Sequence, residues 1–131
     1  MKTILSIDDK KFNQVVLKDI IENIDKKKVN HNNFRFIEAY SGEEGINISL
    51  KETPDLILVD INMPKMSGIE TTKMLKKINQ TRHIPIVAIT AQSMPGDREL
   101  CLSAGCNEFF SKPLNVVNFL NYIVSIIGKN L

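Results

Sequence analysis

Leu56-Ile57-Leu58-Val59-Asp60-Ile61-Asn62-Met63-Pro64-Lys65-Met66-Ser67-Gly68 runs from four aliphatic residues straight into an aspartate and then into a loop. A nearly continuous apolar run of this length is how a strand buried on both faces of a parallel sheet reads. The loop closes on Ser67-Gly68-Ile69-Glu70, which fits the S-x-x-E capping box that begins a helix. Strand, acidic loop and helix together make one β-α unit.

Moving outward, the same unit recurs. Ile4-Leu5-Ser6-Ile7 and Ile86-Val87-Ala88-Ile89 are further buried-strand runs. Phe34-Arg35-Phe36-Ile37-Glu38 alternates more and predicts an edge strand, and Glu108-Phe109-Phe110-Ser111 a short fifth one. Between them, Phe12, Val16 and Ile20, with Leu17, Ile21 and Ile24, fall at helical spacing and predict an apolar stripe. Ser41-Gly42-Glu43-Glu44 is a second capping box. Asp97 to Ala104 predicts a shorter helix with Gly105 as its C-terminal cap. Val116, Leu120, Ile123 and Ile127, with Phe119 and Val124, form the stripe of a terminal helix.

Five β-α repeats imply an open α/β fold with helices on both faces of a parallel sheet. Of the doubly wound arrangements, the flavodoxin-like five-stranded order 2-1-3-4-5 fits the count. The 131 residues suit one domain, 1–131, and the 43% apolar and 24% charged content suits a globular core. A formal net charge of +2 provides no broad basic field for nucleic acid or an anionic membrane. The Asp25-Lys26-Lys27-Lys28 run, within a Lys- and Asn-rich stretch, reads as a solvated loop. The N-terminus lacks the apolar core of a signal peptide, and no stretch is long enough to cross a bilayer. Cys101 and Cys106 match neither a redox nor a zinc spacing and read as reduced thiols. The expected location is therefore the cytoplasm.

In such a sheet, ligands bind beyond the carboxyl ends of the strands, where the strand order reverses. That point lies between the first strand, which ends in Asp8-Asp9, and the third, which ends in Asp60. Three clustered carboxylates repel one another unless a cation sits among them. Mg²⁺ suits such a cluster, being held by one or two carboxylates together with water and phosphate oxygens. Thr90 ends the fourth strand, and Lys112-Pro113 follows the fifth. With Mg²⁺, they provide what the three equatorial oxygens of a transferring phosphoryl group require. No Ser/His or Cys/His pairing is placed here, so the nucleophile is a carboxylate. His31 and His83 read as surface residues, and Phe110 as core packing.

As an ordered set, Asp8-Asp9, the D-x-x-M-P-x-x-x-G of Asp60 to Gly68, Thr90-Ala91 and Lys112-Pro113 resemble the receiver domains of two-component response regulators, across essentially the whole chain. The resemblance implies that Asp60 accepts a phosphoryl group from the phosphohistidine of a sensor histidine kinase or histidine phosphotransfer protein. It implies that Asp9 and Asp60 ligate Mg²⁺ directly, that Asp8 acts through water, and that Asn62 contributes its backbone carbonyl. Lys112 pairs with the phosphoryl group, and its bond to Pro113 is expected to be cis. Thr90 and Phe109 are the expected switch pair, with Phe109 standing where a tyrosine is often seen. Asn62 and Gln92 occupy positions where the family varies phosphoryl lifetime.

Such a receiver catalyses only its own phosphorylation and dephosphorylation, as a monomer or a phosphorylation-dependent dimer. Its partner-binding face is expected at the fourth helix, fifth strand and fifth helix. Two other readings compete. An aspartyl-nucleophile phosphatase usually carries a second Asp two residues after the nucleophile, where this chain has Asn62. A pseudo-receiver would have lost the chemistry, yet all five key residues are present. Two contexts stay open, a stand-alone regulator or a domain of a hybrid sensor histidine kinase. The segment from Thr90 to Cys106 is similar to hybrid-kinase receivers.

Overall fold

A computed structural model describes residues 2–22, 34–91 and 93–127. Along the chain run β1 (Lys2–Ile7), α1 (Lys11–Glu22), β2 (Phe34–Ala39), α2 (Gly42–Glu52) and β3 (Leu56–Asp60). They are followed by α3 (Gly68–Lys77), β4 (Ile86–Thr90), α4 (Asp97–Ala104), β5 (Glu108–Ser111) and α5 (Val116–Ile127). The strands are parallel in the order β2-β1-β3-β4-β5, the doubly wound arrangement read from the sequence. The Lys26–Lys28 run, Ile24, His31 and Gln92 lie outside the described residues.

Strand alternation divides the core into two layers. Leu5, Ile7, Ile57, Val59, Ile86 and Ala88 face Ile46 of α2, Leu75 of α3 and Cys101 of α4. Ile4, Leu56, Leu58, Val87 and Ile89 face Ile21 of α1 and Phe119, Ile123 and Ile127 of α5. Phe110 joins the second layer and meets Phe119 and Tyr122 edge to face, with centroids 5.4 and 5.7 Å apart, so its core reading holds.

Both capping signals start helices. At α3, Ser67 Oγ accepts from Glu70 N and Glu70 Oε1 accepts from Ser67 N, each at 3.1 Å, a complete box. At α2, Ser41 Oγ accepts from Glu44 N, while the Glu44 carboxylate reaches one residue further back, to Tyr40 N. The end of α4 is a Schellman motif: Cys106 N donates to Cys101 O and Gly105 N to Leu102 O, with Gly105 at φ +117°. That motif sets Cys101 and Cys106 near each other, both buried as free thiols, with Cys106 Sγ 3.6 Å from Thr72 Oγ1.

The stripe read for α1 is corrected. Phe12 is 76% exposed and Val16 is also exposed, whereas Gln14, not part of the stripe, is fully buried. Of the stripe, Ile21 is buried and Leu17 and Ile20 are half-buried. In α5, Val116 is likewise exposed, and the inward face is carried by Phe119, Ile123 and Ile127.

Candidate functional site

The strand register assembles the site. Ile7 of β1 pairs with Val59 of β3, so Asp8 and Asp60 occupy the next adjacent positions at the carboxyl ends of the two strands. One oxygen each from Asp8, Asp9 and Asp60 lie within 4.8 Å of one another. Asp8 and Asp60 are nearly buried, at 6% and 8% exposure. Asp9 is partly exposed, and three carboxylates this close repel one another unless a cation sits among them.

Hydrogen bonds fix the Asp8 and Asp60 carboxylates. Asp8 Oδ1 accepts from Lys10 N at 2.9 Å, and Asp60 Oδ1 from Asn62 N at 3.1 Å. Among the described residues the buried Oδ1 of Asp9 has no hydrogen-bond partner; Lys10 Nζ, at 3.6 Å, pairs with it electrostatically. Burial pushes the Asp60 carboxyl up to about 6. The Asn62 N–H bond opposes that rise, the Asp8 carboxylate reinforces it, and the Lys112 and Lys10 ammonium groups oppose it. Three carboxylate oxygens within 4.8 Å of one another, one of them without a hydrogen bond among the described residues, fit a hard divalent cation such as Mg²⁺.

The loop after Asp60 is shaped by its own sequence. Met63 packs into the α2–α4 layer, Lys65 takes a positive φ of 67°, and Met66 N closes a tight turn onto Pro64 O. A Cβ at Gly68 would lie 2.4 Å from Asp60 O and 2.7 Å from Ile61 Cα, both backbone atoms. Only glycine lets α3 begin this close to the acidic strand end.

The remaining residues lie along the same rim. Thr90 is fully buried, and its Oγ1 accepts a 2.5 Å hydrogen bond from Asn62 Nδ2. Lys112 N donates to Thr90 O at 2.8 Å, and the Lys112–Pro113 peptide bond is cis. Phe109 is partly buried against the α2–α4 layer. His83 is exposed, as read.

Two features were not anticipated. The first is a cavity of about 270 Å³ that opens beside Asp8, Asp60 and Lys112 and runs between α1 and the start of α5, walled by Phe12, Val16, Leu114 and Val116. The second is Gln14. Its Nε2 donates to Ser6 O, Asp8 O and Ala39 O at 3.0, 3.1 and 3.0 Å, while its Oε1 is buried without a hydrogen-bond partner among the described residues. Nothing in sequence marks this role, because all three acceptors are backbone carbonyls.

A five-stranded doubly wound sheet with an acidic triad at its switch point, and a hydroxyl and a lysine along the same rim, defines an α/β domain whose site lies at the carboxyl ends of its strands. Residues 4–124 match the response regulator receiver domain model, and the chain belongs to that family, the receiver domains of two-component signalling. It is 36% identical over 127 residues to the polar-differentiation response regulator DivK of Brucella ovis, covering 97% of each chain. The receiver domain of a sensor histidine kinase from Pseudomonas aeruginosa, solved with a magnesium ion coordinated in its active-site cleft, is 27% identical with a TM-score of 0.81. That match covers 97% of this chain and 98% of the other. The signal receiver domain of a DNA-binding response regulator from Colwellia psychrerythraea, 22% identical, shares the fold with a TM-score of 0.86, over 98% of this chain and 99% of that one. Among the described residues, no helix is long and apolar enough to cross a membrane.

Proposed function

We propose that this chain takes a phosphoryl group onto Asp60 from the phosphohistidine of a sensor histidine kinase or histidine phosphotransfer protein, in a Mg²⁺-dependent reaction. The observation that carries this reading is the meeting of Asp8, Asp9 and Asp60 oxygens within 4.8 Å. When bound, Mg²⁺ supplies charge neutralisation for the carboxylates and the incoming phosphoryl oxygens. Asp9, Asp60 and the Asn62 backbone carbonyl are its candidate ligands, with Asp8 acting through water.

The ionised Asp60 carboxylate forms the new bond to phosphorus as the bond from phosphorus to the imidazole nitrogen breaks, and that nitrogen keeps the electron pair. Lys112 and the Thr90 hydroxyl bind phosphoryl oxygens. Thr90 then shifts toward the phosphoryl group and Phe109 repacks with it, altering the face made by α4, β5 and α5. An exposed amide at Asn62 has no proton to give as a general acid, which argues against a turnover phosphatase.

Incubation with Mg²⁺ and acetyl phosphate followed by intact-mass measurement tests the reading. The wild type is expected to carry an acid-labile phosphoryl adduct that EDTA prevents and Asp60→Asn abolishes. An undiminished adduct in Asp60→Asn, or none on the wild type, sinks it. Sedimentation with and without beryllofluoride then distinguishes a monomer from a phosphorylation-dependent dimer.

A further inference from the structure

We propose that Gln14 is a positioning residue for the acidic site, holding the backbone of Asp8 and Asp9 in the conformation that aims both carboxylates at Asp60. The inference rests on the reading that these carboxylates bind Mg²⁺.

The β1–β2 ladder ends at the pair Ile7 and Ala39, and the last backbone tie beyond it is Asp8 N to Ala39 O at 3.0 Å. Around that point the carbonyls of Ser6, Asp8 and Ala39 converge on one spot. Gln14, in the first turn of α1, fills that spot. Its two amide protons are shared among the three oxygens, so one side chain ties α1 to the ends of both strands. The bond to Asp8 O holds the peptide that joins Asp8 to Asp9, from which both carboxylates project.

The arrangement is not explained by packing alone. Three oxygens on one side dictate that the NH₂ end faces them, which leaves Oε1 buried and unpartnered among the described residues. Leaving a buried acceptor unsatisfied costs about 1–3 kcal/mol. A methionine of similar length would fill the space but could donate to none of the three carbonyls, so the donor end is what this position needs. Residues one step removed from a metal's ligands act in this way, by fixing the ligands that touch it.

Titration of ¹⁵N-labelled full-length chain with MgCl₂ tests the inference by NMR. In the wild type, the Gln14 side-chain amide resonances are expected to move with the same midpoint as the backbone amides of Asp9 and Asn62. Gln14→Met is expected to raise the Mg²⁺ Kd about tenfold. Thr81→Val serves as the stability control, because Thr81 is a buried hydroxyl that donates to Leu75 O at 2.7 Å, at the other end of the sheet. It should lose stability and keep the wild-type Kd. A static Gln14 amide, a Gln14→Met Kd within about twofold of wild type, or equal weakening by Thr81→Val overturns the proposal. If Gln14→Met does not fold, the wild-type amide titration decides. A wild type with no response to Mg²⁺ would instead remove the metal reading on which this one stands.

Discussion

The α2–α4 layer and the α1–α5 layer cover opposite faces of one sheet, and they are finished differently. On the α2–α4 side, two helices begin at serine caps and glycines let the packing close. A Cβ at Gly45 would meet Ile7 Cδ1 at 2.4 Å. On the α1–α5 side, α1 is held by Ile21 near one end and by the Gln14 amide near the other, and an apolar groove stays open between them. The acidic site lies at the mouth of that groove. One layer thus sets the shape of the sheet, while the other leaves apolar surface beside Asp60.

Core truncation should produce the largest effect, and in the α1–α5 layer it should fall on α5. Phe119→Ala is expected to cost about 3–5 kcal/mol in urea unfolding, since Phe119 is fully buried. A loss under about 1 kcal/mol would mean that the open groove collapses to fill the space.

Asp60 should work in the opposite direction. Its folded pKa of about 6 lies above the ordinary carboxylate value of 3.8, so the folded state binds the proton more tightly than the unfolded chain. Asp60 therefore costs nothing below about pH 3.8, and its charge destabilises progressively as pH rises through about 6. In EDTA at pH 7, Asp60→Asn should gain on the order of 2–3 kcal/mol, and the gain should vanish near pH 4. Equal gains at both pH values would show that burial is not what raises this carboxyl.

Smaller effects distinguish the two layers directly. Ser67→Ala removes one cap and should cost about 1 kcal/mol. Phe12→Ser, despite the larger side chain lost, should stay within about 0.5 kcal/mol because Phe12 is largely exposed. If Phe12→Ser proves the costlier of the two, the groove is more closed in solution than the structure has it.

Most of the fold was legible because strands buried on both faces leave no choice of pattern: Leu56 to Val59 and Ile86 to Ile89 can face only other apolar residues. The acidic triad was legible too, since Asp8 and Asp60 directly follow such runs and Asp9 is the next residue after Asp8. The packing of α1 was not. A helical stripe such as Phe12, Val16 and Ile20 records which side of a helix is apolar, but not whether a neighbour covers it. Gln14 was invisible for a related reason. Its value depends on where carbonyls from two strands converge, and carbonyls leave no trace in side-chain sequence. The Asn62 side-chain bond to Thr90 likewise joins residues 28 positions apart and appears only once β3 and β4 are set side by side.

The Schellman turn that ends α4 has a consequence for how the molecule can be observed. Burial pushes the Cys101 thiol up to about 12 and raises Cys106 as well, so neither sulfur offers a thiolate near neutral pH. An alkylating reagent can reach them only in molecules whose α4–β5 junction has opened. The rate at which mass is gained at these two residues is then a clock for that opening, already built into the chain. Any metal or partner that steadies the junction will slow the clock by the same factor by which it suppresses the open form.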